Sequence, residues 1–177
     1  MRTLRRILLG LVALIIVFVA LAYIDGLTLP LNHVATVTGT ISAPPAKVFA
    51  LITNVSAAPS WRHAVQSVTV LPPDAGRDHW TEHLAHNQTM TFLATRTEAP
   101  TRRDVLLDLA TPSYGGTWTY LLAPGPTPDT TILTITETGF IHPPLYRFMM
   151  HHIFGITHNL DQYLADVRAA APGLPQS

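Results

Sequence analysis

Residues 41–61, ISAPPAKVFALITNVSAAPSW, narrow the possible folds more than any other stretch, because they join a strand to a short amphipathic helix and then to a loop that carries a tryptophan. Val48, Ile52 and Val55 recur at spacings of four and three with Phe49 beside them, so one face of the helix is apolar. Pro44 or Pro45 suits its first turn, where no N–H donor is needed. Such a face has to be buried, and the strands around it supply the partner. Residues 34–41 read as a first strand from their β-branched content. Further strands are expected over 66–71, 79–84, 89–97, 103–109, 116–122 and 130–140, separated by turn signals such as Pro72-Pro73-Asp74-Ala75-Gly76 and the run from Pro124 to Asp129.

Residues 145–170 carry a stripe of Leu145, Met149, His152, Ile156, Leu160 and Leu164 at spacings of three and four, which predicts one long helix. Pro172 and Pro175 end it. A strand, a short helix, six more antiparallel strands and a long final helix make an α+β order, in which the sheet curves around the last helix so that both apolar faces are buried.

The segment SAPPAKVFALITNVSAAPSWRHAVQSVTVL resembles the opening of the START-like, helix-grip superfamily, in particular its polyketide cyclase/dehydrase and lipid-transport group, often labelled SRPBCC. The proline before the helix, the Val-Phe pair within it, the tryptophan after it and the following strand carry the likeness. GGTWTYLLAPGPTPDTTILTITETGF is similar to that group's last two strands. The resemblance implies a helix-grip fold, with a curved seven-stranded antiparallel sheet around a long C-terminal helix. It also implies a hollow between sheet and helix that holds an apolar small molecule. It supplies no family-wide catalytic set.

Ahead of this domain, residues 7–24 are 18 consecutive residues without a charge, about 27 Å as a helix and close to the thickness of a hydrocarbon core. Arg2, Arg5 and Arg6 precede the run and Asp25 follows it, which keeps the N-terminus in the cytoplasm and sends the rest of the chain across. Ala20-Leu21-Ala22 also fits a signal-peptide cleavage site. A retained anchor is favoured, because no polar region separates the apolar run from that match. The expected organisation is a cytoplasmic N-terminus (1–6), an anchor or signal peptide (7–24), a linker (25–32), a START-like domain (33–171) and a tail (172–177). The expected location is a bacterial cell membrane, single-pass, with the domain on the outer side.

Composition excludes other classes. Eleven basic residues balance eleven acidic ones with no basic run beyond the first six positions, so the footprint of a nucleic-acid binder is missing. Without cysteine there is no disulfide, thiolate zinc site or cysteine nucleophile. His79, His83 and His86, or His151, His152 and His158, do not share the faces that a metal would need, so no metal is expected, and no cofactor is called for.

Pocket candidates are Trp61, Met90, Phe92, Trp118, Tyr120, Met149, His152 and Ile156, each of which has an alternative reading as plain core. His152 interrupts the apolar stripe and is the candidate acid or base, against the reading of a satisfied core histidine. Glu82 or Tyr114 could pair with it, although the first also reads as a solvated strand residue and the second as a turn aromatic. Arg102 and Arg103 read as a surface pair, and His151, His158, Arg147 and Asp161 as a solvated helix face. The expected function is a membrane-tethered binding or carrier domain for a lipid or isoprenoid quinone. The alternatives are a cyclase/dehydratase-like enzyme on an apolar substrate and a non-catalytic envelope interaction module.

Overall fold

The structure, a computed structural model, describes residues 2–107 and 113–173. A long helix α1 (Arg2–Thr28) leads into β1 (Asn32–Ile41), the short helix α2 (Pro45–Thr53) and a 3-10 turn (Val55–Ser60). Strands β2 (Val65–Val70), β3 (His79–Leu84), β4 (Thr89–Glu98), β5 (Arg102–Leu107), β6 (Tyr114–Pro124) and β7 (Thr131–Ile141) follow. The end of the fifth expected strand, at Leu109, and the turn residue Pro112 lie outside the described residues.

All seven strands form one antiparallel sheet in the order β1-β7-β6-β5-β4-β3-β2, so the first two strands in sequence become its two edges. The α2 segment connects those edges. Pro44 caps α2 and Pro45 opens it, and the apolar face expected from spacing is buried through Val48, Phe49 and Ile52. Register sets the inner surface of the curved sheet. One inward row runs Val37, Ile135, Tyr120, Arg103, and the next runs Ala35, Glu137, Trp118, Val105, Ala94. On the outer surface, cross-strand threonines pair instead, Thr36 with Thr136 at 3.0 Å and Thr38 with Thr134 at 3.1 Å.

The C-terminal region corrects one expectation. It is not one long helix but α3 (Pro144–Met149), a π-turn (Met150–Phe154) and α4 (His158–Ala170), broken at Gly155, whose φ of 87° no helix contains. The apolar stripe therefore holds only beyond the break, where Leu160, Tyr163, Leu164 and Val167 are buried against the sheet. Together with Ile41, Val48, Leu133 and Ile135 they form the solid part of the core. Leu145 ahead of the break and Ile156 immediately after it are each 38% exposed.

At the other end of the chain, the C-terminal turns of α1 pack on α3. Ala22 and Gly26, four apart on one helix face, are buried there. Arg147, expected on a solvated face, is buried instead. Its Nε donates to the Gly26 carbonyl at 2.8 Å and its Nη1 to the carbonyls of Ile141 and His142 at 2.9 and 2.6 Å. It fastens α1 to the domain.

Candidate functional site

Below its packed end the sheet and α4 do not close, and a cavity of about 600 Å³ lies between them, well within the size range of small-molecule sites. Its walls are mainly aromatic. Tyr163 of α4 is their hub, with ring centroids 5.2 Å from Tyr120, 5.9 Å from Trp118 and 5.6 Å from Trp61. Across the cavity Trp80 stacks on Phe92 at 5.5 Å. These contacts follow from alternation, since Trp118 and Tyr120 leave one face of β6 while Trp80 and Phe92 are opposed on β3 and β4.

Into this apolar wall the fold inserts a small charged cluster. Glu82, two residues after Trp80 on the inward face of β3, is 3% exposed. One carboxylate oxygen, Oε1, is held by the Arg62 guanidinium and by Trp80 Nε1, the latter at 3.3 Å. Its other oxygen, Oε2, is buried and accepts no hydrogen bond from the described residues. Arg62 comes from the loop after the 3-10 turn and lies over the Tyr163 ring at 4.9 Å. That loop is fixed to α4 by His63, whose backbone N–H donates to Asp166 at 3.1 Å and whose ring lies 2.5 Å from the same carboxylate.

Arg103, on the inward face of β5, is 1% exposed and also lines the cavity. Its Nη2 donates to Asp78 at 3.1 Å and its guanidinium lies 5.3 Å from the centroid of Trp80, yet Nε and Nη1 have no acceptor among the described residues. Buried donors and acceptors left in this state cost stability unless a ligand or water meets them. The cluster in the cavity wall therefore holds two guanidinium nitrogens and one carboxylate oxygen whose hydrogen-bonding capacity the described residues leave unused.

Protonation is held firm here. Burial opposes the charge on Arg62, but Glu82, followed by Tyr163 and Tyr120, more than offsets it and keeps the guanidinium more strongly protonated than usual. Burial, with Tyr163 second, pushes the Tyr120 hydroxyl well above the ordinary tyrosine range, and burial pushes Tyr163 up to about 12. Both phenols are neutral donors at physiological pH.

Of the residues singled out from sequence, Trp61, Met90, Phe92, Trp118, Tyr120 and Ile156 lie in the cavity wall, while Met149 and His152 fall outside it. His152 is not buried. The turn ahead of Gly155 swings it outward, where its Nε2 lies 2.8 Å from Asp25 and both side chains are 44% exposed. It meets neither Glu82 nor Tyr114. Glu82 itself is not solvated, Tyr114 opens β6 and lines the cavity, and Arg103 is no surface residue. Sequence reasoning passed over Arg62, Trp80 and Tyr163 as well. A signal for Glu82 and Arg103 was present, because each stands at period two with apolar neighbours, Trp80 and Leu84 for the first, Val105 and Leu107 for the second.

Residues 41–155 match the profile of the family described as polyketide cyclase / dehydrase and lipid transport. No curated protein matches the sequence. Similar solved structures include the Zhui aromatase/cyclase from Streptomyces sp. R1128, with a TM-score of 0.65 and 15% identity over 80% of this chain and 94% of that one. A START superfamily protein from Mycobacterium smegmatis aligns with a TM-score of 0.63 and 12% identity over 80% and 98% of the two chains. Norcoclaurine synthase from Thalictrum flavum, solved with dopamine and hydroxybenzaldehyde, reaches 0.64 at 8% identity over 87% and 94%. At such identities the likeness speaks for a shared fold. With most of its folded domain inside the matched span, this chain belongs to the polyketide cyclase/dehydrase and lipid-transport family.

Proposed function

We propose that the chain is a membrane-tethered binding or carrier domain for a hydrophobic small molecule of the lipid or isoprenoid-quinone class, held on the extracytoplasmic side by α1. The supporting observation is the cavity: about 600 Å³ with aromatic walls and one buried polar cluster that has hydrogen-bonding atoms to spare. The apolar body of such a ligand replaces water along Trp61, Trp118 and Phe92. Its carbonyl or hydroxyl end satisfies Arg103 Nε or Nη1, and a hydroxyl there could also donate to Glu82 Oε2. α1 is long and apolar enough to cross a bilayer, and a signal sequence passes the same test. Retained, it keeps the cavity near the phase in which such ligands concentrate.

All three tryptophans of the chain line the cavity, so intrinsic tryptophan fluorescence responds to its contents. Titrating the full chain in detergent with a short-chain ubiquinone, and separately with a fatty acid, is expected to change that emission saturably for at least one of them. Arg103→Met is expected to weaken the response. Emission indifferent to both ligands removes the reading.

One observation favours a second reading, a cyclase or dehydratase acting on an apolar substrate. Glu82 lines the cavity with its Oε2 unpartnered among the described residues, and Arg62, Arg103, Tyr120 and Tyr163 line the same cavity, a set that can accept a proton and hold a developing oxyanion. In that reading Glu82, not His152, is the base. Glu82→Gln would then abolish turnover of a bound polyketone substrate and leave its binding intact.

A further inference from the structure

We propose that the turn between α3 and α4 is a lipid-docking surface that seats one wall of the cavity on the bilayer, an inference that rests on α1 being a retained membrane anchor. The turn has two faces. Met150 and Ile156 line the cavity, while Ile153 and Phe154 between them point outward at 60% and 47% exposure. Exposed apolar groups of that size, placed together, call for a partner.

The bilayer is the partner because of what this element already touches. Arg147 binds the Gly26 carbonyl, Ala22 and Gly26 are buried against α3, and the Phe18 and Phe148 rings meet edge to face at 6.2 Å. Phe18 lies six residues before Ile24, where the uncharged run ends, and so about 9 Å further along the helix toward its centre. With α1 across a bilayer, Phe148 is drawn below the hydrocarbon boundary and the following turn lies at it. Leu31, also exposed, extends the same apolar rim, since its carbonyl accepts the Ile141 N–H at 2.9 Å just ahead of α3. The polar groups at this level, His151, His152, His158 and Asp25, are ones that an interface tolerates, and His152 and Asp25 pair with each other.

The absence of cysteine allows single-site labelling. Ile153→Cys and Phe154→Cys, each carrying an environment-sensitive nitrobenzoxadiazole, are reconstituted as full chains into phosphatidylcholine vesicles that contain lipids bearing a nitroxide on the upper acyl chain and others bearing it on the lower acyl chain. Leu14→Cys in α1 and Asp129→Cys in the β6–β7 turn serve as the embedded and aqueous references. Loss of emission at 153 and 154 that approaches the loss at 14, with 129 unaffected, is the expected result. Quenching at 14 with both 153 and 154 as bright as 129 overturns the docking surface and leaves the anchor standing. No quenching at 14 removes the anchor, and this proposal with it.

Discussion

Glu82 and Arg103 differ in what their removal should do, and the difference separates stability from function. Glu82→Leu leaves Arg62 beside a buried apolar wall without its carboxylate. Because the Arg62 side chain keeps 18% of its surface in solvent, the expected loss is about 3 kcal/mol, the lower end for a broken buried pair, read from chemical denaturation. Arg103→Met removes a group with two unmet donors and replaces it with apolar volume, so stability should hold or rise while ligand binding falls. A large loss of stability in that variant would mean that its contacts with Asp78 and Trp80 hold the fold together. The phenols give a pH test. Tyr163 titrates near 10 in the unfolded chain and at about 12 in the folded one, so the unfolded state gives up its proton first. The stability tied to that hydroxyl is fully present below about pH 10 and is lost as pH rises toward about 12. Near-ultraviolet absorbance should show cavity phenolates only at the alkaline limit or on unfolding, and an early-titrating full set of tyrosines would contradict this. These residues were hard to read because charged side chains are seldom buried, so an Arg-Arg pair and a lone Glu on a strand default to the surface. Arg62 sits in a loop, where no periodicity marks direction.

Elements with a strict period were legible. The alternation in β6 placed Trp118 and Tyr120 on one face, and the spacing of Val48 and Ile52 placed α2 on the sheet. The C-terminal helix misled because a single stripe of apolar residues continues across Gly155, whose conformation the stripe does not reveal. A methyl group there meets no neighbour, so Gly155→Ala should cost about 1 kcal/mol from backbone strain alone, measured by denaturant unfolding. An unchanged or higher stability would mean that the break does not depend on that conformation. Gly26 tests a different link. A Cβ there would lie 2.0 Å from the Pro144 carbonyl oxygen, so Gly26→Val has to separate α1 from α3. Amide exchange should quicken in α3 and stay unchanged in α4, whereas equal protection in both would mean that α1 contributes nothing to holding α3.

For the molecule as a whole, one edge-to-edge sheet, a broken C-terminal helix and a fastened N-terminal helix bring three things to one end: the apolar helix, an exposed apolar turn and the wall of a cavity. The fold class was readable from element order and from the family's opening segment. The cavity's polar cluster was not, because it is assembled from a loop and two strands that only register brings together. The most direct test of the central claim, that this cavity holds an apolar molecule by its polar end, is native mass spectrometry of the full chain purified from its natural source, followed by denaturing identification of what accompanies it. A stoichiometric apolar adduct, diminished in Arg103→Met, is the predicted result. A bare mass that stays bare after incubation with lipids and quinones would contradict the account.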